Sequence, residues 1–246
     1  NSHPTASSTM PLPTVILPGY LASAAPYSGM EQALQSLGYP VLTVPLTRWD
    51  WVPTVGGKSV ATILTKLDQS VQQLLAKTGA HQVNLVGHSA GGWIARIYLG
   101  EVPYTVSGWR QTPAGAVRTL WQAHPQVHTL ITLGTPHTSQ ERWTRTNLEF
   151  VNQTYPGAFY PTVRYVCIAG KAIYGKQDWQ GWFTYNSYAM TCGQGGCWGD
   201  GITPVGAAHL EGAENVLLED VYHSPRPGMK WYGSADIVKA WSTYLA

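Results

Sequence analysis

Val83-Asn84-Leu85-Val86-Gly87-His88-Ser89-Ala90-Gly91-Gly92 is the stretch that decides how this chain folds. A short apolar run, read as a strand over 82–86, meets a serine set between glycines and passes at once into a helix expected over 90–99. A serine at so tight a strand-to-helix turn sits on strained backbone, and glycines flank it because larger side chains would collide with the strand and helix it joins. The helix N-terminus beneath favours negative charge, and the Ala90 N–H is the candidate donor to an oxyanion. Ser89 is therefore the candidate nucleophile. The alternative is a glycine-rich helix entry with an exposed serine, against which the buried strand in front of it counts.

Outward from that turn, β-branched runs alternate with helix-like segments. Strands are expected over 14–17, 41–44, 128–133, 163–169 and 215–221, and helices over 27–37, 60–77 and 235–245. The clearest helix repeats Val60, Ile63, Leu64, Leu67, Val71, Leu74 and Leu75 at helical spacing and closes at Gly79. This alternation predicts an α/β fold with a mostly parallel sheet covered by helices on both faces. Residues 12–246 are expected to form one such domain, with 1–11 set aside as a tail or expression scar. Two stretches break the alternation: 101–115, rich in turn residues, and 174–199, rich in Gly, Trp, Tyr and Gln. The second reads as a long loop insertion, and long ordered loops commonly wall or cover a binding site.

In a fold of this kind the nucleophile, the acid and the histidine follow in that chain order, so the base belongs after the last strand. Of the eight histidines, His223 alone lies there. His209 is expected within a helix and His137 at the end of an earlier strand, and a surface or core role is assigned to both. The position of His88 next to the serine turns it away, which predicts a packing role. Asp178, Asp200, Glu211 and Asp220 compete for the acid. Asp200, in Gly199-Asp200-Gly201 at the mouth of a helix, is preferred by chain position, although a helix cap would use the same residue. Asp178, nearer the end of strand 163–169, is its main rival. The loop Pro18-Gly19-Tyr20-Leu21 after the first strand makes the Tyr20 N–H the second candidate oxyanion donor, unless this is a simple turn.

Composition narrows the partners. Charged residues make up 11% of the chain, where about 25% is usual, so the surface must be built largely from neutral polar and aromatic groups. Eleven Trp and fourteen Tyr are more than one core comfortably hides, which points to an apolar groove or patch. Trp179, Trp182 and Trp198, close to Asp200 in the chain, are the candidate substrate-binding aromatics, with ordinary core packing as the alternative. A net charge of +2 without a Lys/Arg run leaves no footprint for nucleic acid. No apolar stretch approaches the roughly 18 residues of a membrane span, so a soluble protein is expected, cytoplasmic ahead of secreted or organellar. Cys192 and Cys197 bracket a small loop that a disulfide could close, and Cys167 reads as a buried thiol.

Gly87-His88-Ser89-Ala90-Gly91-Gly92, the strand end Leu133-Gly134-Thr135-Pro136-His137, and Gly199-Asp200-Gly201 followed by His223 together resemble the lipase-like serine hydrolases of the α/β-hydrolase superfamily. That group includes small bacterial lipases and the inositol-deacylase-like and palmitoyl-thioesterase-like proteins. The resemblance spans 13–245. It implies a Ser89, Asp200, His223 triad with Tyr20 and Ala90 as oxyanion donors. Acyl transfer through such a triad requires no cofactor or metal, and the Trp and Tyr content favours esters of lipid-like or other apolar acyl groups, with peripheral contact with lipid surfaces. A thioesterase or acyltransferase would use the same triad, and a binding protein on this fold would keep its shape without turnover. Pro18-Gly19 stands where many relatives carry His-Gly, and 174–198 has no counterpart in the smallest lipases.

Overall fold

The computed structural model describes residues 10–109 and 118–246; most of the expected tail and residues 110–115 of the turn-rich stretch lie outside them. In chain order the elements are β1 (Thr14–Leu17), α1 (Ser28–Ser36), β2 (Val41–Thr43), α2 (Arg48–Trp51), α3 (Ala61–Thr78), β3 (Val83–His88), α4 (Ala90–Leu99) and β4 (Val127–Leu133). They continue with α5 (Arg145–Thr154), β5 (Arg164–Lys171), β6 (Ile173–Tyr174), α6 (Trp182–Cys192), β7 (Trp198–Gly199), α7 (Val205–Ala208), β8 (Glu214–Glu219), β9 (Val221–Tyr222), β10 (Lys230–Trp231) and α8 (Ala235–Ser242).

Six strands form one sheet in the order β2-β1-β3-β4-β5-β8, and every neighbouring pair in it is parallel. The interior strands are apolar on both faces because both are covered. Alternate residues feed two separate cores. Val15, Leu17, Leu85, Leu130 and Cys167 pack with Ile63, Leu64 and Leu67 of α3, Ile94 and Ile97 of α4, and Leu148 and Val151 of α5. Ile16, Val86, Ile131, Val166 and Ile168 pack on the other face with Met30 and Leu34 of α1 and Val238 and Trp241 of α8. The period of two along each strand thus sorts a continuous apolar run into two layers. No helix among the described residues is long and apolar enough to cross a membrane.

Three expectations are corrected. Residues 174–199 are not a loop: α6 occupies 182–192 and ends at Gly193 in the left-handed region, while β6 and β7 pair antiparallel. The helix escaped the sequence because it buries only Thr184 and Tyr188, too few to set up an apolar stripe. The last sheet strand stops at Glu219 rather than 221. Asp220 takes a φ of 56° that breaks the ladder, and Val221–Tyr222 pair instead with Lys230–Trp231. His209 is not within a helix but follows the four-residue α7 as its C-terminal flank.

Candidate active site

β1 has β2 on one side and β3 on the other, so the chain reverses its direction of travel through the sheet between β1 and β3. Ligands of open α/β sheets bind in the crevice beyond the carboxyl ends of the strands at such a switch point. Leu17 is in register with Gly87, and His88 with Leu133. The ends of β1, β3 and β4 are therefore level, and the turns that follow them meet.

Ser89 is one of those turns. Its φ of 53° and ψ of −126° lie where a non-glycine residue is rarely found, at a cost of about 1–3 kcal/mol that the surroundings must impose. Those surroundings are explicit. Ser89 N–H donates to the Leu133 carbonyl at 2.9 Å, and the Ser89 carbonyl accepts from Thr135 Oγ1 at 2.8 Å. A side chain on Gly87 would come within 2.6 Å of the backbone of Gly91 and Gly92, one on Gly91 would strike the Leu17 carbonyl, and one on Gly92 would strike Thr135. The glycines are steric requirements of the turn. Ser89 itself is half-buried.

The Gly19 backbone stands beside the serine, since a Cβ there would lie 3.0 Å from the Ser89 Cβ. Ala22 N–H donates to the Gly19 carbonyl at 3.0 Å, which makes Gly19–Ala22 a tight turn, and Leu21 takes a left-handed φ of 58° within it. Tyr20 packs edge-on against Trp51, whose indole N–H holds the Ala22 carbonyl. Among the described residues neither the Tyr20 nor the Ala90 amide donates a hydrogen bond, so both donors expected from the sequence are unspent, one on each turn.

His223 and Asp200 are brought together. His223 Nδ1 lies 2.7 Å from Asp200 Oδ2, and the His223 N–H donates to the Asp200 carbonyl at 3.0 Å. Both residues are buried. The remaining acceptor sites of the carboxylate are filled as well: Oδ1 accepts from the amides of Ile202 at 3.0 Å and Thr203 at 2.7 Å, and Oδ2 from the Tyr232 hydroxyl at 2.7 Å. Burial alone would raise the Asp200 pKa; His223 and these hydrogen bonds outweigh it and hold the carboxyl below its ordinary value. Asp178, Glu211 and Asp220 are exposed, and Asp178 Oδ1 is engaged by the Gly181 amide at 2.6 Å.

Other histidines are placed elsewhere or otherwise. His137 is buried near Arg96, Thr132 and Cys167, and burial followed by the Arg96 charge pushes its pKa far down. His88 departs from the packing role expected of it. It is buried, yet both ring nitrogens are hydrogen-bonded, Nδ1 with the Tyr27 hydroxyl at 2.7 Å and Nε2 with the His223 carbonyl at 2.8 Å. Tyr232, whose hydroxyl donates to Asp200, was not singled out in the sequence either, and only its place after His223 could have suggested it.

The three tryptophans fall in two places. Trp179 and Trp182 line an open pocket of about 700 Å³ with Gln177, Asp178, Tyr185 and Asn186; Ser89, Asp200 and His223 are not in that lining. Trp179 is 98% exposed. Trp198 lies edge-on to Tyr174 with the Lys171 ammonium 5.1 Å above its ring.

Strand order, the strained strand-to-helix turn at Ser89 and the chain order Ser89, Asp200, His223 fit an α/β-hydrolase fold. No protein-family model and no curated protein matches this sequence. Solved structures do. An α/β serine hydrolase homologue from Coxiella burnetii aligns over 96% of this chain and 85% of its own at TM-score 0.51 and 11% identity. A monoacylglycerol lipase from Paleococcus ferrophilus aligns over 96% and 95% at 0.51 and 10%. EstA from Clostridium botulinum aligns over 96% and 86% at 0.51 and 12%. At such identities the likeness is one of fold.

Proposed function

We infer that this chain is a carboxylic ester hydrolase of the lipase and esterase kind, with Ser89 as nucleophile, His223 as base and Asp200 as the acid that orients it. The observation that carries the reading is the bond from His223 Nδ1 to a carboxylate whose other acceptor sites are already filled. A carboxylate so held can only accept from Nδ1–H, so in the neutral imidazole Nε2 is the nitrogen that carries no hydrogen and can serve as base. The strained backbone of Ser89 and the unspent amides of Tyr20 and Ala90 supply the rest of what acyl transfer needs.

In the first step Nε2 takes the Ser89 Oγ proton as Oγ attacks the ester carbonyl, and the developing oxyanion receives the Tyr20 and Ala90 N–H groups. The C–O bond to the alcohol breaks as Nε2–H returns its proton to the leaving oxygen. Water, deprotonated by Nε2, then attacks the acyl-enzyme, and Ser89 regains its proton as the carboxylic acid departs. Asp200 stays ionised throughout and stabilises the imidazolium.

An apolar acyl group, and contact with lipid surfaces, are supported by exposed aromatic and aliphatic side chains: Tyr20 and Leu21 on the turn beside Ser89, and, elsewhere in the chain, Trp49, Val52, Trp179, Trp182 and Phe183. The test is fluorophosphonate labelling combined with a series of p-nitrophenyl esters from acetate to palmitate. Labelling and hydrolysis are expected in the parent and absent in Ser89→Ala. Label retained by Ser89→Ala, or no hydrolysis at any chain length by the folded parent, overturns the reading.

A further inference from the structure

Four groups drawn from three distant segments form one directed chain of hydrogen bonds beneath the candidate site. Its direction is fixed by chemistry. The His223 carbonyl can only accept, so His88 Nε2 carries the hydrogen in the 2.8 Å contact between them. Burial first, and the neighbouring His223 second, push the His88 pKa down to about 3, so the ring is neutral at working pH and Nδ1 is an acceptor. The Tyr27 hydroxyl therefore donates to Nδ1 across 2.7 Å. The lone pairs of the same hydroxyl accept the Gly19 N–H at 2.8 Å. No tautomer or rotamer is left open from the Gly19 amide to the His223 carbonyl.

The two ends of this chain are the two parts that acyl transfer must hold in register. Gly19 precedes Tyr20, whose amide is one proposed oxyanion donor, and the Gly19 backbone lies against Ser89. His223 is the proposed base. Ser89 is adjacent to His88 in sequence, so all three reacting groups hang from one buried link. Trp231 closes over it, edge-on to both His88 and Tyr27 at 5.5 and 5.8 Å between ring centres.

We propose that Tyr27 and His88 are positioning residues that lock the oxyanion turn to the His223 loop, so that donor and base approach the Ser89 carbonyl adduct at one fixed separation. The inference rests on the reading of Ser89 and His223 given above. It assigns neither residue a contact with substrate.

The experiment compares Tyr27→Phe, His88→Leu, His88→Gln and the Tyr27→Phe/His88→Leu double variant on p-nitrophenyl butyrate, with active sites counted by fluorophosphonate. Tyr27→Phe removes one oxygen and keeps the ring. Misplacement of the reacting groups by a fraction of an ångström is expected to lower kcat per titrated site roughly 10- to 100-fold, with KM within about twofold. His88→Leu should fall as far, and the double variant little further, because each change cuts the same chain. His88→Gln, which keeps a donor and an acceptor on one side chain, should recover part of the loss. Tyr27→Phe with parental kcat per site, or losses that multiply in the double variant, overturns the proposal even if His88→Leu fails to fold. A parent that shows neither labelling nor hydrolysis would instead defeat the functional reading on which it stands.

Discussion

Replacing Asp200 by Asn changes one atom and tests the site at its most constrained point. The carboxylate accepts four hydrogen bonds, two per oxygen. An amide can meet only half of that demand, and the structure decides which half. The Ile202 and Thr203 N–H groups are backbone donors that cannot reverse, so the amide oxygen must take the Oδ1 place. Its NH2 then faces His223 Nδ1 and the Tyr232 hydroxyl. The hydroxyl can rotate to accept, but Nδ1 can accept only by giving up its hydrogen to Nε2, and the base is thereby protonated on the atom that should take the Ser89 proton. Wrong-tautomer substitutions of this kind cost a factor of about 10⁴ in turnover, or about 5.4 kcal/mol at 1.36 kcal/mol per tenfold. The loss in folding free energy is expected to be far smaller, about 1–3 kcal/mol for the imperfectly paired groups. Steady-state hydrolysis of p-nitrophenyl esters alongside thermal melting reads both quantities. Asp178→Asn should be silent, because an Asn oxygen caps the Gly181 amide as the Asp oxygen does. The same pair carries a pH signature. The Asp200 carboxyl is held below its ordinary value in the folded chain, so its contribution to stability is complete above the unfolded-state value near 3.9 and is lost as pH falls through the folded-state value. The Tm advantage of the parent over Asp200→Asn should therefore be constant near neutrality and shrink only below about pH 4. Asp200→Asn within tenfold of parental turnover, or collapse on Asp178→Asn, would refute the assignment.

Further outcomes are expected. His223→Ala should abolish hydrolysis at unchanged fold, whereas His137→Ala should act mainly on stability, by more than about 1 kcal/mol through the Arg96 and Thr132 partners it strands; melting and turnover per labelled site separate the two. His209→Ala should leave turnover per site within about threefold, since a loss near that of His223 would require a base after α7. Gly134→Ala should cut turnover more than about tenfold, because Gly134 has a φ of 57° and a Cβ there would lie 2.5 Å from Asp200 Oδ2; parental activity would show that the acid has room to move. Trp179→Ala and Trp182→Ala should raise KM for palmitate esters more than for butyrate esters, and equal effects on both would place their pocket off the acyl path.

Local rules recovered what is local. β1 and α4 begin and end where apolar runs and glycines put them, and α3 lies within one residue of its expected bounds because seven of its residues form one buried stripe. Elements that bury little did not announce themselves. α5 buries Asn147, Leu148 and Val151, one of them polar, and α2 is a single turn closed by Thr47 and Asp50. His88 was misjudged for a different reason: its partners are Tyr27 and the His223 carbonyl, one before it and one far after it in the chain, and no spacing rule links them.

The proposed acid shows where chain order stops and three-dimensional contact takes over. Order left Asp178 and Asp200 both after β5 and before β8. What separates them is the set of residues that make room for one carboxylate. Gly170 lies inside β5, where glycine ordinarily weakens a strand, and a Cβ there would come within 3.0 Å of the Asp200 Cβ. Its amide donates to the Tyr232 hydroxyl at 2.9 Å, and that hydroxyl donates onward to Asp200 Oδ2. Gly134, at the end of β4, faces the same oxygen. In the sequence Gly134 stands out only within the strand end 133–137, and Gly170 and Tyr232 carry no signal at all. They become informative only once the sheet has set the ends of β4 and β5 side by side, and then all three select the same aspartate. A carboxylate on the exposed Asp178 side chain has no such shell, so nothing there would fix the tautomer of a histidine. The roles of Gly134, Gly170 and Tyr232 are thus one physical fact seen from three places in the chain, and the loss expected from Gly134→Ala follows from the same geometry as the loss expected from Asp200→Asn.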